Sequence, residues 1–551
     1  HVGSDKVYTP GDKCDVLVAM NPAALKTQYK FCKPQSVIII DTDSFTKRDL
    51  EKAQFQLENP FSELGIKNEV VEAAITTMCK ESLKDSGLDN KTIMRTKNMF
   101  ALGLVCWLFH RDITIGEKLL REKFAKKPEI AEANVKVLHD GYHFGENTHA
   151  SISTSYTVPT KKAMQPGRYM DINGNKAAAY GLIAAAEKSG LQLYLGSYPI
   201  TPATDILHEL AKHKSLGVKT VQCEDEIAGC ASAVGAAFAG ALAVTTTSGP
   251  GVCLKSEAMN LAVITELPLV IIDVQRGGPS TGLPTKSEQT DLLQALYGRN
   301  GESPMPVIAA TSPTDCFDAA FMACKIAVEH MTPVILLSDA YIANGSAAWH
   351  LPNLNDYPAI VPPYVKPEMA GSWTPFQRNP QTGVRYWATP GMKGFMHRIG
   401  GLEKSNETGA ISTEPENHNL MTRLRAEKVE RIAASIPDLE VEGDADADLL
   451  IVGFGGTYGH LHSAMDAMNR HGKKAALAHF KFINPLPRNT EAVLRRYKKI
   501  VVAEQSMGQF AGYLRMKIEG LHLHQFNQVK GQPFVVKELV DAFERILASD
   551  M

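Results

Sequence analysis

Three carboxylates, Glu224-Asp225-Glu226, stand directly before a run of almost wholly small residues, Ile-Ala-Gly-Cys-Ala-Ser-Ala-Val-Gly-Ala-Ala-Phe-Ala-Gly. A helix of Ala, Gly, Ser and Cys has little reason to form unless another backbone or a ligand approaches it closely. Acidic residues at its start complement the positive end of the helix dipole. That effect, with tight packing, accounts for Glu224 and Asp225. Glu226 leads into the small-residue face and is expected to be the most buried of the three. A buried carboxylate without a partner is costly and tends to hold a proton. One that hydrogen-bonds a ligand nitrogen can move a proton onto it, which makes Glu226 the first candidate for proton chemistry.

A second feature is Tyr198-Pro199-Ile200-Thr201-Pro202, which follows a short apolar strand over residues 191–195. Each proline pushes the residue before it toward an extended conformation. Pro202 suits the first position of a helix over 203–210, with Thr201 as its N-cap. A capped helix start of this kind can bind a carboxylate or a phosphate; a plain strand-to-helix turn is the competing reading. The third feature is a pair of Gly-rich loops, Thr245-Thr246-Thr247-Ser248-Gly249-Pro250-Gly251 and Arg276-Gly277-Gly278-Pro279-Ser280-Thr281-Gly282-Leu283-Pro284-Thr285-Lys286, each placed after a strand. A phosphate cradle is one reading of them. Neither has the Gly-x-x-x-x-Gly-Lys-Ser/Thr form, and Lys286 lies well beyond the glycines.

These features need a scaffold that gathers them, and strand-rich apolar runs supply one. Strands are expected over 192–195, 242–247, 269–274 and 333–338 in a domain spanning 172–350, whose ligands would lie beyond the carboxyl ends of its strands. Residues 1–155 read as a separate α/β domain, with strands over 15–20 and 36–41 and a buried helix over 98–110. It opens without a Gly-rich strand-to-helix turn, so its start is expected to be missing from the sequence. Residues 151–170, rich in Ser and Thr with Pro159 and Pro166, read as a linker. Residues 351–430 show little periodicity and read as an extended wrapping segment. A last α/β domain covers 431–551, with strands over 449–453, 475–480 and 500–503.

At 551 residues, with 44% hydrophobic and 21% charged residues and a net charge of −2, the composition is that of an ordinary globular chain. The charge offers no nucleic-acid surface or membrane-attracting face, and no apolar run reaches the ~18 residues of a membrane span. The nine cysteines are scattered without any Cys-x-x-Cys. That argues against a disulfide framework, a zinc site or an iron–sulfur site in this chain, and for a reducing, cytoplasmic setting.

Taken in order, Tyr-Pro-Ile-Thr-Pro, the Glu-led small-residue helix, Thr-Thr-Thr-Ser-Gly-Pro-Gly and Arg-Gly-Gly-Pro-Ser-Thr-Gly-Leu-Pro-Thr-Lys resemble the pyrimidine-binding domain of the 2-oxoacid:ferredoxin oxidoreductases. More closely, the chain is similar to the 2-oxoglutarate type α subunit with a γ domain fused in front. Thr332-Pro333-Val334-Ile335-Leu336-Leu337-Ser338-Asp339, Gly400-Gly401-Leu402-Glu403 and Leu424-Arg425-Ala426-Glu427-Lys428-Val429 extend the resemblance. The last domain, with Gly453-Phe454-Gly455-Gly456-Thr457 and Glu504-Gln505-Ser506-Met507-Gly508-Gln509, resembles the transketolase C-terminal domain.

The resemblance implies three open α/β domains and a coenzyme A-dependent exchange of 2-oxoglutarate with succinyl-CoA, CO2 and reduced ferredoxin through thiamine diphosphate. It implies that Glu226 contacts the pyrimidine N1′, with Pro199, Ile200, Ser248 and Gly249 lining the cofactor. It further implies that Thr201 holds the substrate C1 carboxylate, that Tyr198 shapes the wall, and that Lys286 and Arg276 meet substrate carboxylates. Lys286 stands where such a position can hold Arg, and a lysine lacks the bidentate fork. Mg2+ and a 4Fe–4S cluster are expected on a β subunit, in a dimer of αβ heterodimers served by ferredoxin. The alternatives are a subunit acting on pyruvate or another 2-oxoacid, a non-catalytic scaffold, and another thiamine enzyme of transketolase or dehydrogenase type. A nucleotide-binding dehydrogenase is a distant reading, since no Gly-x-Gly-x-x-Gly follows a strand.

Overall fold

Apolar runs rich in β-branched residues become central strands, because a strand covered on both faces needs no polar alternation. In the computed structural model, which describes residues 1–148, 153–159, 165–444 and 446–549, Val37-Ile38-Ile39-Ile40 and Val270-Ile271-Ile272 are buried in this way, in two different sheets. The chain divides into two units, residues 1–164 and 165–551. The expected linker lies partly outside the described residues, at 151–152 and 160–164. Residues 153–159 carry no regular structure, and Tyr169 already begins a strand.

The first unit holds a parallel sheet of β1 (Cys14–Ala19), β2 (Cys32–Asp41) and β3 (Val70–Ala73), in that order. Helices α1 (Lys97–Leu108) and α2 (Pro128–Thr148) pack against each other. Phe100, Leu104 and Leu108 of α1 are buried, the last two with Val37 and Ile39 of β2.

In the second unit the order is β4 (Tyr169–Asn173), α3 (Gly174–Ser189), β5 (Leu193–Ser197), α4 (Thr204–Leu210), β6 (Lys219–Gln222) and α5 (Glu226–Phe238). Then follow β7 (Leu242–Thr247), α6 (Gly249–Thr265), β8 (Leu269–Gln275), α7 (Leu292–Tyr297), β9 (Val307–Ala309), α8 (Asp315–His330), β10 (Pro333–Asp339) and β11 (Ser346–His350). Helix α9 (Pro415–Arg431) closes the stretch read as a wrapping segment. The remaining strands are β12 (Val441–Gly443), β13 (Leu449–Phe454), β14 (Ala475–Phe480), β15 (Phe482–Asn484), β16 (Ile500–Glu504) and β17 (His524–Asn527), with α10 (Gln509–Lys517) after β16.

One sheet runs β15-β9-β10-β8-β7-β5-β6, parallel except for β15, and a second runs β12-β14-β13-β16-β17. The C-terminal region thus lends a strand to the first sheet, and one core joins them through residues such as Val307, Leu337, Phe454 and Phe480. Alternation sorts the faces of the first sheet. Val270, Ile272 and Val274 of β8 belong to one core, while Ile271 belongs to the core that includes residues of α5 and α6. By the same period Asp273 and Gln275 of β8, and Thr245 and Thr247 of β7 after Ala243, point toward α5 and α6.

Candidate active site

The four neighbouring strands β8-β7-β5-β6 each end beneath one of the chemically distinctive segments: Arg276 after β8, Ser248 after β7, Thr201 after β5 and Glu226 after β6. This is the edge where ligands bind in open α/β sheets. Asp225 caps α5, accepting from the Ala228 amide at 2.7 Å, and Glu224 is exposed. Glu226, the first residue of α5, is only 8% exposed. The small residues behind it admit the sheet itself. A Cβ at Gly196 of β5 would come within 2.5 Å of the Gly229 carbonyl, so the helix lies directly on the strand end.

The Glu226 side chain lies across the start of α6. A Cβ on Gly251 would stand 2.0 Å from Thr247 Oγ1 and 2.9 Å from Glu226 Cγ, so only glycine fits. No hydrogen bond reaches the Glu226 carboxylate from the described residues. The segment read as a first Gly-rich loop is therefore strand plus helix. Thr245 to Thr247 close β7, and Gly249-Pro250-Gly251 form the first turn of α6, where a proline is well suited. Its glycines are required by close packing against Asp291, Thr247 and Glu226. Ser248 precedes that helix with a fully buried hydroxyl that has no partner among the described residues.

Below Glu226 lies a charged layer that sequence reasoning did not single out. Lys255 of α6 is 0% exposed, and its Nζ donates to the Glu226 carbonyl at 3.1 Å and to the Thr245 hydroxyl at 3.0 Å. Burial pushes this ammonium below its usual value. Asp273 of β8 is fully buried, and neither carboxylate oxygen has a partner among the described residues. Burial, and then the charge of Asp291, drive its carboxyl well up. Asp291 itself rests against Gly249 and is pushed up to about 6 by burial and then by Glu288, with Arg276 acting the other way. A signal for Lys255 was present: it falls on the apolar stripe Gly251, Lys255, Ala258, Met259 and Ala262, at helical spacing.

The Tyr198–Pro202 turn differs from expectation. Thr201–Pro202 is cis, residues 201–203 form a turn, and α4 begins at Thr204. Thr201 is exposed and does not cap the helix, and Pro202 does not occupy its first position. The chain must first complete this turn, and so the helix starts three residues after Thr201. What Thr201 contributes is its carbonyl, which accepts from Arg276 Nη1 at 2.7 Å. Arg276 is 6% exposed, and its Nε is buried without a partner among the described residues. Tyr198 is 37% exposed, with Pro199 and Ile200 half-buried beside it. Lys286 lies on the exposed far side of the second loop, its backbone closing that loop through Gly277 N–H to Lys286 C=O at 3.0 Å. The geometry thus joins Arg276 to Thr201 and leaves Lys286 at the rim.

Comparison with known proteins places this geometry. Residues 185–415 match the family "Pyruvate flavodoxin/ferredoxin oxidoreductase, thiamine diP-bdg". Residues 1–144 match "Pyruvate ferredoxin/flavodoxin oxidoreductase", and residues 447–539 match "Pyruvate:ferredoxin oxidoreductase core domain II". The 2-oxoglutarate oxidoreductase subunit KorA of Mycobacterium tuberculosis H37Rv is 50% identical over 535 residues, covering 97% of this chain and 81% of that protein. Subunit alpha of 2-oxoacid:ferredoxin oxidoreductase 1 from Aeropyrum pernix K1 is 30% identical, covering 86% of this chain and 74% of that one. The solved 2-oxoglutarate:ferredoxin oxidoreductase of Magnetococcus marinus, with 2-oxoglutarate, coenzyme A and succinyl-CoA bound, superposes with a TM-score of 0.85 at 30% identity. It covers 99% of this chain and 90% of that one. Matched along nearly its whole length and in its three-part architecture, the chain belongs to the 2-oxoacid:ferredoxin oxidoreductase family.

Proposed function

We propose that this chain is the α subunit, with a fused γ portion, of a coenzyme A-dependent 2-oxoglutarate:ferredoxin oxidoreductase. It interconverts 2-oxoglutarate, coenzyme A and oxidised ferredoxin with succinyl-CoA, CO2 and reduced ferredoxin; in the reductive direction the reaction fixes CO2. The observation that carries the site assignment is the Glu226 carboxylate, 8% exposed and free of donors from the described residues, at the carboxyl edge of the sheet. A carboxylate so placed gains by hydrogen-bonding a ring nitrogen that can carry a proton. The residues present therefore fit the aminopyrimidine half of thiamine diphosphate, with Ser248, Gly249, Pro199 and Ile200 as its surroundings. Thiamine diphosphate, when bound, supplies the carbanion chemistry that breaks the C1–C2 bond of a 2-oxo acid.

Glu226 holds and returns the proton at the pyrimidine N1′. Arg276, half-engaged by the Thr201 carbonyl, keeps buried Nε–H capacity for a substrate carboxylate and is positioned by the same turn that presents Thr201 and Tyr198. Lys286, at the exposed rim, is the candidate for the distal carboxylate of 2-oxoglutarate. We assign Mg2+, the diphosphate and a 4Fe–4S cluster to a β subunit, with ferredoxin as electron partner, coenzyme A as co-substrate and a dimer of αβ pairs as the assembly. The dispersed cysteines of this chain support that division. No helix among the described residues is long and apolar enough to cross a membrane; we place the complex in the reducing cytoplasm.

The test is anaerobic co-purification with the partner and coenzyme A-dependent reduction of a viologen dye, with 2-oxoglutarate and pyruvate run side by side. Reduction with 2-oxoglutarate, abolished by Glu226→Gln, is expected. A signal from pyruvate alone overturns the substrate, and full activity of Glu226→Gln makes this chain a scaffold.

A further inference from the structure

We propose that Lys255 is a positioning residue for Glu226: its buried ammonium ties the head of α5 to β7. The inference rests on the reading that Glu226 acts on the aminopyrimidine. Lys255 stands one helical turn after Gly251, the glycine over which Glu226 lies, so its stem runs along the same face of α6. Its Nζ spans two elements, donating to the Glu226 carbonyl on α5 and to the Thr245 hydroxyl on β7. Both acceptors are uncharged. A fully buried ammonium held in this way costs more than a methionine of similar length would, so packing alone is a poor reason for a lysine here.

Beside the ammonium stand Glu226 and Asp225 at the head of α5, with Cys230 one turn on, Cys223 before the helix and Thr245 on β7. Asp225 is committed to capping the Ala228 amide, whereas the Glu226 carboxylate accepts no hydrogen bond from the described residues. The tether through the Glu226 carbonyl fixes where its main chain sits, and so where the side chain that lies across Gly251 starts.

The test uses the co-purified complex freed of thiamine diphosphate and titrated with it in equilibrium dialysis. Lys255→Met, in a complex that still folds, should bind thiamine diphosphate about tenfold more weakly, and the same replacement in the Glu226→Gln background should cost little more, because its effect passes through Glu226. A folded Lys255→Met with wild-type affinity, or one whose loss is as large in the Glu226→Gln background, overturns the proposal, whatever its melting temperature. Should that variant not fold, Thr245→Val takes its place in the same cycle: a smaller loss is expected, and no loss, or an equal loss in both backgrounds, is the refutation. The underlying reading fails separately, if Glu226→Gln keeps wild-type dye reduction.

Discussion

Glu266, at the end of α6, is the carboxylate around which the wrapping segment closes, and replacing it with glutamine should unfasten that segment. The residue is 1% exposed. Its two oxygens take Arg378 in a bidentate pair and Lys428 of α9, and its carbonyl accepts from Arg385 Nε at 3.1 Å. Burial pushes the carboxyl up, but Arg378 and Lys428 together outweigh burial and hold it far below the usual range. Glutamine keeps the volume and one acceptor, and leaves two cations at 9% and 2% exposure without a counter-charge. Breaking a buried pair on one side costs about 3–5 kcal/mol. In a cooperative unit larger than 250 residues each kcal/mol moves the midpoint by roughly 1–2 °C. Glu266→Gln should then melt about 3–10 °C below wild type at pH 7, with early proteolysis between residues 351 and 414.

The sign with pH follows from the depressed carboxyl. Its contribution is complete above the ordinary value of 4.5 and is lost as pH falls toward its folded value. The gap between wild type and variant should therefore close below pH 4.5, by at most about 1.4 kcal/mol per pH unit. Scanning calorimetry across pH 3.5–7.5 reads both effects. Glu266→Gln with Lys428→Met removes one stranded cation and should recover part of the loss. A double variant no more stable than Glu266→Gln, or a gap unchanged down to pH 3.5, would refute the reasoning.

Two further outcomes are expected. Gly251→Ala forces a Cβ to within 2.0 Å of Thr247 Oγ1 and 2.9 Å of Glu226 Cγ; overpacking of this kind costs about 1–3 kcal/mol. The displaced carboxylate should weaken thiamine diphosphate binding in dialysis even where the variant melts within a few degrees of wild type. Asp291, raised on folding to about 6, binds more protons in the folded state between 3.8 and 6, so it subtracts stability as pH rises through that window. Asp291→Asn should be more stable than wild type at pH 7.5, by up to about 3 kcal/mol, with the difference gone below pH 4; equal stability at both pH values contradicts the assignment.

Much of the scaffold was legible locally. Runs such as Val270-Ile271-Ile272 and Val334-Ile335-Leu336-Leu337 are too apolar to face water on either side, so they had to be central strands. A glutamate ahead of fourteen mostly small residues had to sit where a helix meets something closely, and Glu226 is buried on that account. These conclusions need only composition and spacing within one element. The boundary of α4 was misread because residues 201–203 form a turn ahead of the helix, which residue types alone do not decide. The Gly249-Pro250-Gly251 run was misread as loop because glycines that open a closely packed helix read the same in sequence as glycines of a loop.

The sequence by itself determined which segments are strands and helices, and which residue types stand at the carboxyl edge of the sheet, because those follow from periodicity along the chain. Only the tertiary structure decided the electrostatics. Lys255 lies 29 residues from Glu226, Arg276 75 from Thr201, and Lys428 162 from Glu266. Charges that far apart meet through the order β8-β7-β5-β6 and the return of the wrapping segment, and no local pattern reports which charge a buried lysine or carboxylate faces.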